Sequence, residues 1–494
     1  MKKITGILIL LFLMTGISCS NFLEENLQGK FSSSTFYQTP QDAILAVNGI
    51  YNSASFISTN NGLWVFGDVA SDDATKGGGS GDQSDIQFID LFNYVRSNTV
   101  LENTWKQYFD GITRANYVVS YVPGITMDPA LKNRILGEAK FLRAYFYFNL
   151  VNIFGDIPLK LLPPTSSAEI NLPKSAVAAI YQQIETDLQE AVKVLPKIYS
   201  ASDMGRATKG AAWGLLAKAH LYQGEWTDVL TAIDSLDASA GYSLVPVYKN
   251  NFLDSTQNNA ESVFEIQQLR GQSPSLGSFL SQYFSPSTYN GYYFNAPLQS
   301  FIDEFEVTLL GTPDPRLDYT VGRAGNKWVN GEPFDPSWSP TGYLNRKSSE
   351  PKKGLLPIGD SGLNYVYLRY ADILLMKAEA LNELSRGGEA IVPLNTVRKR
   401  ARESYLYDSA LPGFGVIPPG LLDDVNNGGQ QALRDVIRHE RRVELGFEFH
   451  RYFDLMRYGQ QAAEAALGST GFTYSKRYFA IPQSELDTNP AITN

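Results

Sequence analysis

Aromatic side chains crowd one stretch of this sequence. Residues 283–343 hold thirteen in 61 positions, where aromatics make up 12% of the whole chain. Many stand beside Gly, Asn, Ser or Pro, which is loop chemistry rather than strand chemistry. A ring offers a flat apolar face, and Tyr and Trp add a polar edge. A sugar presents the matching pair, an apolar C–H face and a rim of hydroxyls that nearby Asn and Asp can bond. Tyr283, Tyr289, Tyr292, Tyr293, Trp328 and Trp338 are therefore read as ligand-binding side chains carried on loops. Phe301 and Phe305, four apart in an expected helix over Leu298–Phe305, read as packing residues. A second candidate surface is Trp64 with Asp68 and Asp72, ahead of the run Gly77-Gly78-Gly79-Ser80-Gly81. Asp72 and Asp73 also suit a helix cap or a solvated turn.

Other residue patterns imitate catalysis without completing it. Gly359-Asp360-Ser361-Gly362 is similar to the nucleophile strand of trypsin-like proteases, but a serine nucleophile needs a positioned base. The chain has three histidines, His220, His439 and His450, and no series of short strands to carry such a site. His439-Glu440 lacks the second histidine of a zinc helix. The acidic, glycine-rich stretch near residue 72 does not match EF-hand spacing, and no Gly-Lys-Ser/Thr follows the glycines, so no metal, cofactor or phosphate loop is expected. The chain carries a net charge of −9, which argues against nucleic acid. Residues 316–353 hold seven Lys or Arg against four Asp or Glu, a local excess that hints at an acidic polysaccharide. Binding rather than catalysis is the expectation; two carboxylates would suffice for a glycoside hydrolase, which stands as an alternative.

The N-terminus is of targeting type. Lys2 and Lys3 precede the apolar run Ile7–Met14, which is too short to span a bilayer, and Thr15-Gly16-Ile17-Ser18 leads to Cys19. Cys19 is the single cysteine, so it has no intramolecular disulfide partner. The segment resembles a bacterial lipobox, with Ser18 before the cysteine and Gly16 where leucine is usual. Residues 1–18 are thus expected to be a signal peptide, Cys19 the lipidated residue, and 19–35 a polar tether from that lipid anchor.

The elements that must hold the rings are helical. Thr39-Pro40-Gln41-Asp42 and Asp128-Pro129 are cap-plus-proline starts. Leu131, Ile135, Ala139, Leu142 and Phe146 form one stripe, and the helix stops near Gly155. Residues 175–195 predict another helix. Ala207–Tyr222 and Trp226–Ala240 predict a helical hairpin closed by a left-handed Gly224, with Ala211, Gly214 and Ala217 allowing close approach. A second hairpin is expected from the stripe Tyr367, Ala371, Leu374, Ala378 and Leu381, a break at Gly387-Gly388, and Ala390–Arg402. These pairs resemble tetratricopeptide units without a regular period. In the run Arg434–Glu448, Arg441 and Glu444 form an i,i+3 pair, and the arginines call for distant carboxylates such as Asp372 or Asp454. The fold class is mostly α. A tetratricopeptide-like scaffold (36–240 and 364–494) carries an irregular, loop-rich lobe (241–363) with short strands such as Ser262–Ile266, in a single domain over 36–494.

Several segments, in order, resemble the RagB/SusD family of outer-membrane nutrient-binding lipoproteins. They include Phe22-Leu23-Glu24, Asn48-Gly49-Ile50-Tyr51, Ala139–Tyr145 with Phe154-Gly155-Asp156-Ile157-Pro158, and Ala207–Ala212. Leu368–Leu375, Ile437–Leu445, Arg451, Asp454-Leu455, Arg457-Tyr458-Gly459 and Ile481–Leu486 complete the set. The resemblance implies a cell-surface-exposed lipoprotein that captures a glycan, or a peptide in some branches. It implies delivery to a SusC-like TonB-dependent outer-membrane transporter. Glu24-Glu25 is similar to the family's surface-export signal.

Overall fold

The computed structural model describes residues 36–493, except 165, 240 and 352–358. The signal segment 1–18, Cys19 and the tether through residue 35 lie outside the described residues. Among the described residues no helix is long and apolar enough to cross a membrane.

Helix α1 (Pro40–Ala54) starts as its sequence dictates. The Thr39 hydroxyl accepts from Asp42 N–H, and the Asp42 carboxylate accepts from Thr39 N–H at 2.7 Å, a reciprocal capping box. Its stripe Ala43, Val47 and Ile50 is buried. Helices α2 (Ser84–Asp90) and α3 (Thr99–Tyr121) follow, then α4 (Pro129–Phe154), capped by Asp128 onto Leu131 N–H at 2.8 Å and closed by Gly155 at φ 73°. Nearly every residue from Phe141 to Phe154 is buried, because α3 packs on one side of α4 and α5 (Val177–Val194) on the other.

Helices α6 (Lys209–Gln223) and α7 (Trp226–Ser239) form the first expected hairpin, with Gly224 left-handed at φ 73°. Gly214 does permit close approach, but to the side chains of Val263 and Leu368: an added Cβ would lie 2.7 Å from Leu368. These residues belong to two antiparallel strands, β4 (Ser262–Ile266) and β8 (Tyr365–Arg369). Tyr367 is therefore a strand residue, not part of the helical stripe, since the run 365–369 is buried on both faces. Helix α9 begins after it (Tyr370–Glu383), and α10 (Gly387–Tyr407) starts at the glycines expected to break the chain. The break itself falls at Leu384–Arg386, with Ser385 at φ 61°.

The lobe between the hairpins is irregular, as expected. It contains α8 (Leu280–Phe284) and the strand β5 (Phe294–Pro297), which pairs antiparallel with β1 (Ala74–Gly77). The two-residue pairs β2 (Ile157–Pro158) with β3 (Lys174–Ser175), and β6 (Val321–Gly322) with β7 (Leu344–Asn345), pin other loops.

Buried ion pairs centre on α11 (Gln430–Leu445). Arg316 of the lobe, Arg369 of β8 and Arg400 of α10 all reach Glu444, at 2.9 Å for Arg316 and 2.5 Å for Arg369. Burial alone would raise the Glu444 carboxyl, but Arg400, Arg369 and Arg316 together hold it well below the usual carboxylate range. The expected local pair of Arg441 with Glu444 does not form. Arg441 turns instead to Asp372 at 2.7 Å and Asp454 at 3.3 Å, the distant carboxylates its run required. Arg438 lies over the Tyr458 ring at 4.1 Å.

Candidate ligand-binding site

Two separate aromatic clusters emerge from the residues singled out in the sequence, and one of them lines a pocket. It is built where the segment 59–65, the ends of α2 and α3, α8 and β5 meet. Its volume is about 410 Å3, within the roughly 300–1,000 Å3 range of small-ligand sites.

The walls are rings. Trp64 lies 5.6 Å from Tyr283 and 6.2 Å from Phe294, the latter nearly parallel at 21°. Tyr283 lies 5.8 Å from Phe279 and 6.3 Å from Tyr292, and Tyr292 is 5.8 Å from Phe294. Trp64 and Tyr283 are largely covered, whereas Tyr292 keeps 39% of its surface open. Thr59, Asn60, Thr99, Asn103 and Gln83 supply hydroxyls and amides at the rim, with Asp82 as the one ionisable group besides tyrosine.

Local hydrogen bonds hold this geometry. The Asn61 side chain donates to the Ala54 carbonyl at 3.1 Å and accepts from Leu63 N–H and Tyr108 Oη, which freezes the turn before Trp64. Thr99, at the start of α3, donates from N–H and hydroxyl to Asp85 at 2.9 and 2.6 Å, tying α2 to α3. The glycine run gains a role here. Gly78 N–H donates to Tyr293 O at 3.0 Å, and a Cβ on Gly78 (φ 65°) would strike the Phe294 ring at 2.3 Å. Only glycine lets this loop rest on Phe294 and present Asp82 and Gln83 to the pocket.

The second cluster has a packed interior. Tyr289, Trp328, Phe334 and Leu344 are buried together, with Tyr293 and Trp338 half-buried against them. Trp328 retains 1% exposure and Tyr289 3%. The Tyr289 hydroxyl donates to Glu332 and accepts from Asn330 at 2.8 Å. Trp338 packs its ring 5.5 Å from Tyr289 and 5.3 Å from Phe334. The expectation that Tyr289 and Trp328 face a ligand is thus corrected: their rings are buried where the loops fold onto one another, while Tyr293 and Trp338 rest half-buried against them. Phe301 and Phe305 pack in a third cluster as expected, but the helix expected over Leu298–Phe305 covers only Gln299–Ile302, and Phe305 packs back from the turn beyond it.

Asp68 and Asp72 do not face the pocket either. Asp68 is buried beneath it in a π-helical turn (Val65–Val69), accepting from Asn295 Nδ2 at 2.9 Å and from Phe449 N–H at 3.1 Å. Desolvation pushes its carboxyl up to about 8. Asp72 is neither a cap nor a solvated turn: Arg451 grips it with two bonds, 2.7 and 2.8 Å, and Arg442 stands at 3.0 Å. Burial opposes its ionisation, but these guanidinium groups lower its carboxyl overall. Ser361 is buried and its hydroxyl accepts from Leu363 N–H. Most of the described basic residues over 316–353 are also paired or turned inward, while Lys327 stays exposed. Arg316 and Lys347 are buried in ion pairs, Arg323 pairs with Asp318, and Arg346 donates to the Asp318 carbonyl. Lys352 and Lys353 lie outside the described residues. The pocket residues that sequence reasoning missed are the polar rim, Thr59, Asn60, Thr99 and Asn103. Each is unremarkable alone and only the fold assembles them.

Comparison with known proteins fits this architecture. A family model described as the SusD family matches residues 257–494, and one described as starch-binding associating with outer membrane matches residues 42–221. A SusD-like protein of Formosa agariphila, P38, is 28% identical, with 100% of this chain and 99% of that protein aligned. A solved SusD superfamily protein from Bacteroides vulgatus superposes with a TM-score of 0.78 at 25% identity, covering 93% of this chain and 99% of that one. A solved laminarin-binding SusD-like protein superposes with a TM-score of 0.76 at 28% identity, covering 92% and 99%. With both matched regions, the mostly helical fold and relatives aligned end to end in agreement, the chain belongs to the SusD family, whose members bind carbohydrate in association with the outer membrane and are not enzymes.

Proposed function

We propose that this protein captures a neutral glycan chain at the cell surface and passes it to a SusC-like TonB-dependent transporter. The observation that carries the reading is the pocket wall: Tyr292 exposed over Tyr283, Trp64 and Phe294, with amides and hydroxyls at the rim and no Lys, Arg or His among its lining residues. Stacked rings with neutral hydrogen-bonding groups suit uncharged sugars. An acidic polymer would find no cation there and would meet Asp82. The buried pairing of Arg316 and Lys347, with Arg323 held by Asp318, reduces the basic excess that pointed to an acidic ligand. The laminarin-binding relative supports a neutral glucan as the first probe. Surface anchoring through acylated Cys19 rests on the N-terminal sequence, and incorporation of labelled palmitate into wild type but not Cys19→Ala tests it.

Affinity electrophoresis against laminarin, other neutral polysaccharides and a polyuronate tests the ligand class. Retardation by a neutral polymer, lost in Tyr292→Ala, is expected. Stronger retardation by the polyuronate, or unchanged retention in Tyr292→Ala, would overturn the assignment. Titration calorimetry with oligopeptides covers the peptide-binding alternative, which heat of binding from peptides alone would favour.

A further inference from the structure

Three donor side chains converge at the junction of α5, α6 and α7, away from the aromatic pocket. Glu185 comes from α5, His220 from the last turn of α6, and Glu225 from the link into α7. One ligand atom from each lies within 4.8 Å of the others. His220 Nδ1 stands 2.6 Å from Glu225 Oε2. The backbone imposes this meeting: Gly224 turns the chain, and Glu225 N–H donates back to the His220 carbonyl at 3.0 Å. Both side chains are thereby held on one side of the turn. The Gln223 amide sits between the carboxylates, donating to Glu185 Oε1 at 2.7 Å and reaching Glu225 Oε2 at 3.4 Å.

The charge balance at this junction is incomplete. Among the described residues neither Glu185 nor Glu225 has a Lys or Arg in ion-pairing range; the imidazole of His220 is the only basic group there. His439 gives the contrast. It also lies beside two glutamates, Glu304 at 3.0 Å and Glu306 at 3.9 Å, yet Arg442 pairs with the first and Arg398 with the second at 2.6 Å. That pair is already neutralised and the pair at His220 is not.

We propose that His220, Glu185 and Glu225 form a binding site for a divalent transition-metal ion, with zinc as the best match. One imidazole and two carboxylates are a nitrogen–oxygen set of the kind zinc takes, at about 2.0–2.2 Å per bond. Binding requires the His220–Glu225 contact to open from hydrogen-bond distance to the edge of a coordination tetrahedron, within reach of the half-open Glu225 side chain. The fourth position falls to water, or to Gln223 Oε1 after a half-turn of its amide. The ion would staple α5 to the turn between α6 and α7, stiffening the first tetratricopeptide-like hairpin.

Isothermal titration of the purified full-length chain with zinc chloride tests this, with cobalt absorbance reporting the donor set. One ion per chain is expected, with a rise in melting temperature on zinc addition. His220→Ala and Glu185→Gln should each weaken binding at least about tenfold, while His439→Ala leaves it unchanged. Should His220→Ala fail to fold, Glu225→Gln, altered at a half-exposed side chain, carries the same expectation. No zinc uptake by wild type at ~100 µM, or wild-type affinity in both Glu185→Gln and Glu225→Gln, would overturn the site.

Discussion

The indole of Trp64 and the phenol of Tyr283 meet with ring centres 5.6 Å apart, so the N-terminal turn and the middle lobe share one pocket wall. Tyr292 extends that wall into solvent. Replacing Tyr292 with Ala should weaken binding of a neutral oligosaccharide about tenfold or more, as expected of a central aromatic anchor, without lowering the melting temperature. Calorimetry on wild type and variant reads this directly, and equal affinities would remove Tyr292 from the site.

The second cluster predicts the opposite pattern. Trp328→Ala should cost about 3–5 kcal/mol of stability by emptying a packed site, while any protein that still folds binds glycan normally. Trp328→Phe should be far milder, because the buried Trp328 Nε1 has no hydrogen-bond partner among the described residues. Denaturant titration of both variants, followed by binding assays below the transition, separates packing from recognition.

Gly78→Ala should displace the loop that seats on Phe294, since the new methyl would meet that ring and the residue would keep a strained positive φ. Reduced glycan affinity with near-normal stability is the expected result. Affinity matching wild type would mean that the loop position does not matter to the ligand.

Asp68 makes stability depend on pH. Its folded carboxyl titrates at about 8, above the unfolded value, so the folded state holds a proton that the unfolded state gives up. The resulting penalty grows as pH rises from about 4 to about 8, at up to ~1.4 kcal/mol per unit, and is constant above. Asp68→Asn should therefore gain on wild type across that interval. Melts at pH 5 and pH 8 check the sign: a gap that is equal at both, or larger at pH 5, is the contrary outcome.

His450 acts in the other direction. Burial, with Lys218 Nζ 3.1 Å from its Nδ1, lowers its imidazole to about 3. The fold keeps it neutral, so its contribution is complete above about pH 6.5 and is lost as pH falls toward 3. His450→Asn, which keeps an acceptor for Lys218, should flatten the acid loss between pH 6 and pH 4. Unchanged slopes in thermal melts would refute that assignment.

Helix starts at Thr39-Pro40 and Asp128-Pro129, the left-handed Gly224 and the packing of Phe301 on Phe305 were legible because each follows from local chemistry. The demand of Arg441 for distant carboxylates was legible too, since a charge on a buried helix face must be met. Tyr367 was not, because a five-residue buried run looks alike in strand and helix. Trp328 and Trp338 misled for a related reason: loop composition places a ring outside secondary structure but does not say whether loops cover one another. Of the pocket, the sequence supplied Trp64, Tyr283 and Tyr292. Its rim could not be read, because Asn60, Gln83 and Asn103 acquire meaning only when α2 and α3 close beside α8.

The convergence of Arg316, Arg369 and Arg400 on Glu444 bears on how the chain matures. Asp314 and Glu261, which precede them in the chain, give these three guanidinium groups only two carboxylates, and the shared third, Glu444, is synthesised later, on α11. Until that segment arrives the cluster keeps one uncompensated positive charge, which is costly to dehydrate. A polypeptide emerging in order from the ribosome, or threading through an export channel, therefore stays open in its central portion and closes late. A truncation before residue 430 should yield a product sensitive to proteases rather than a smaller stable core.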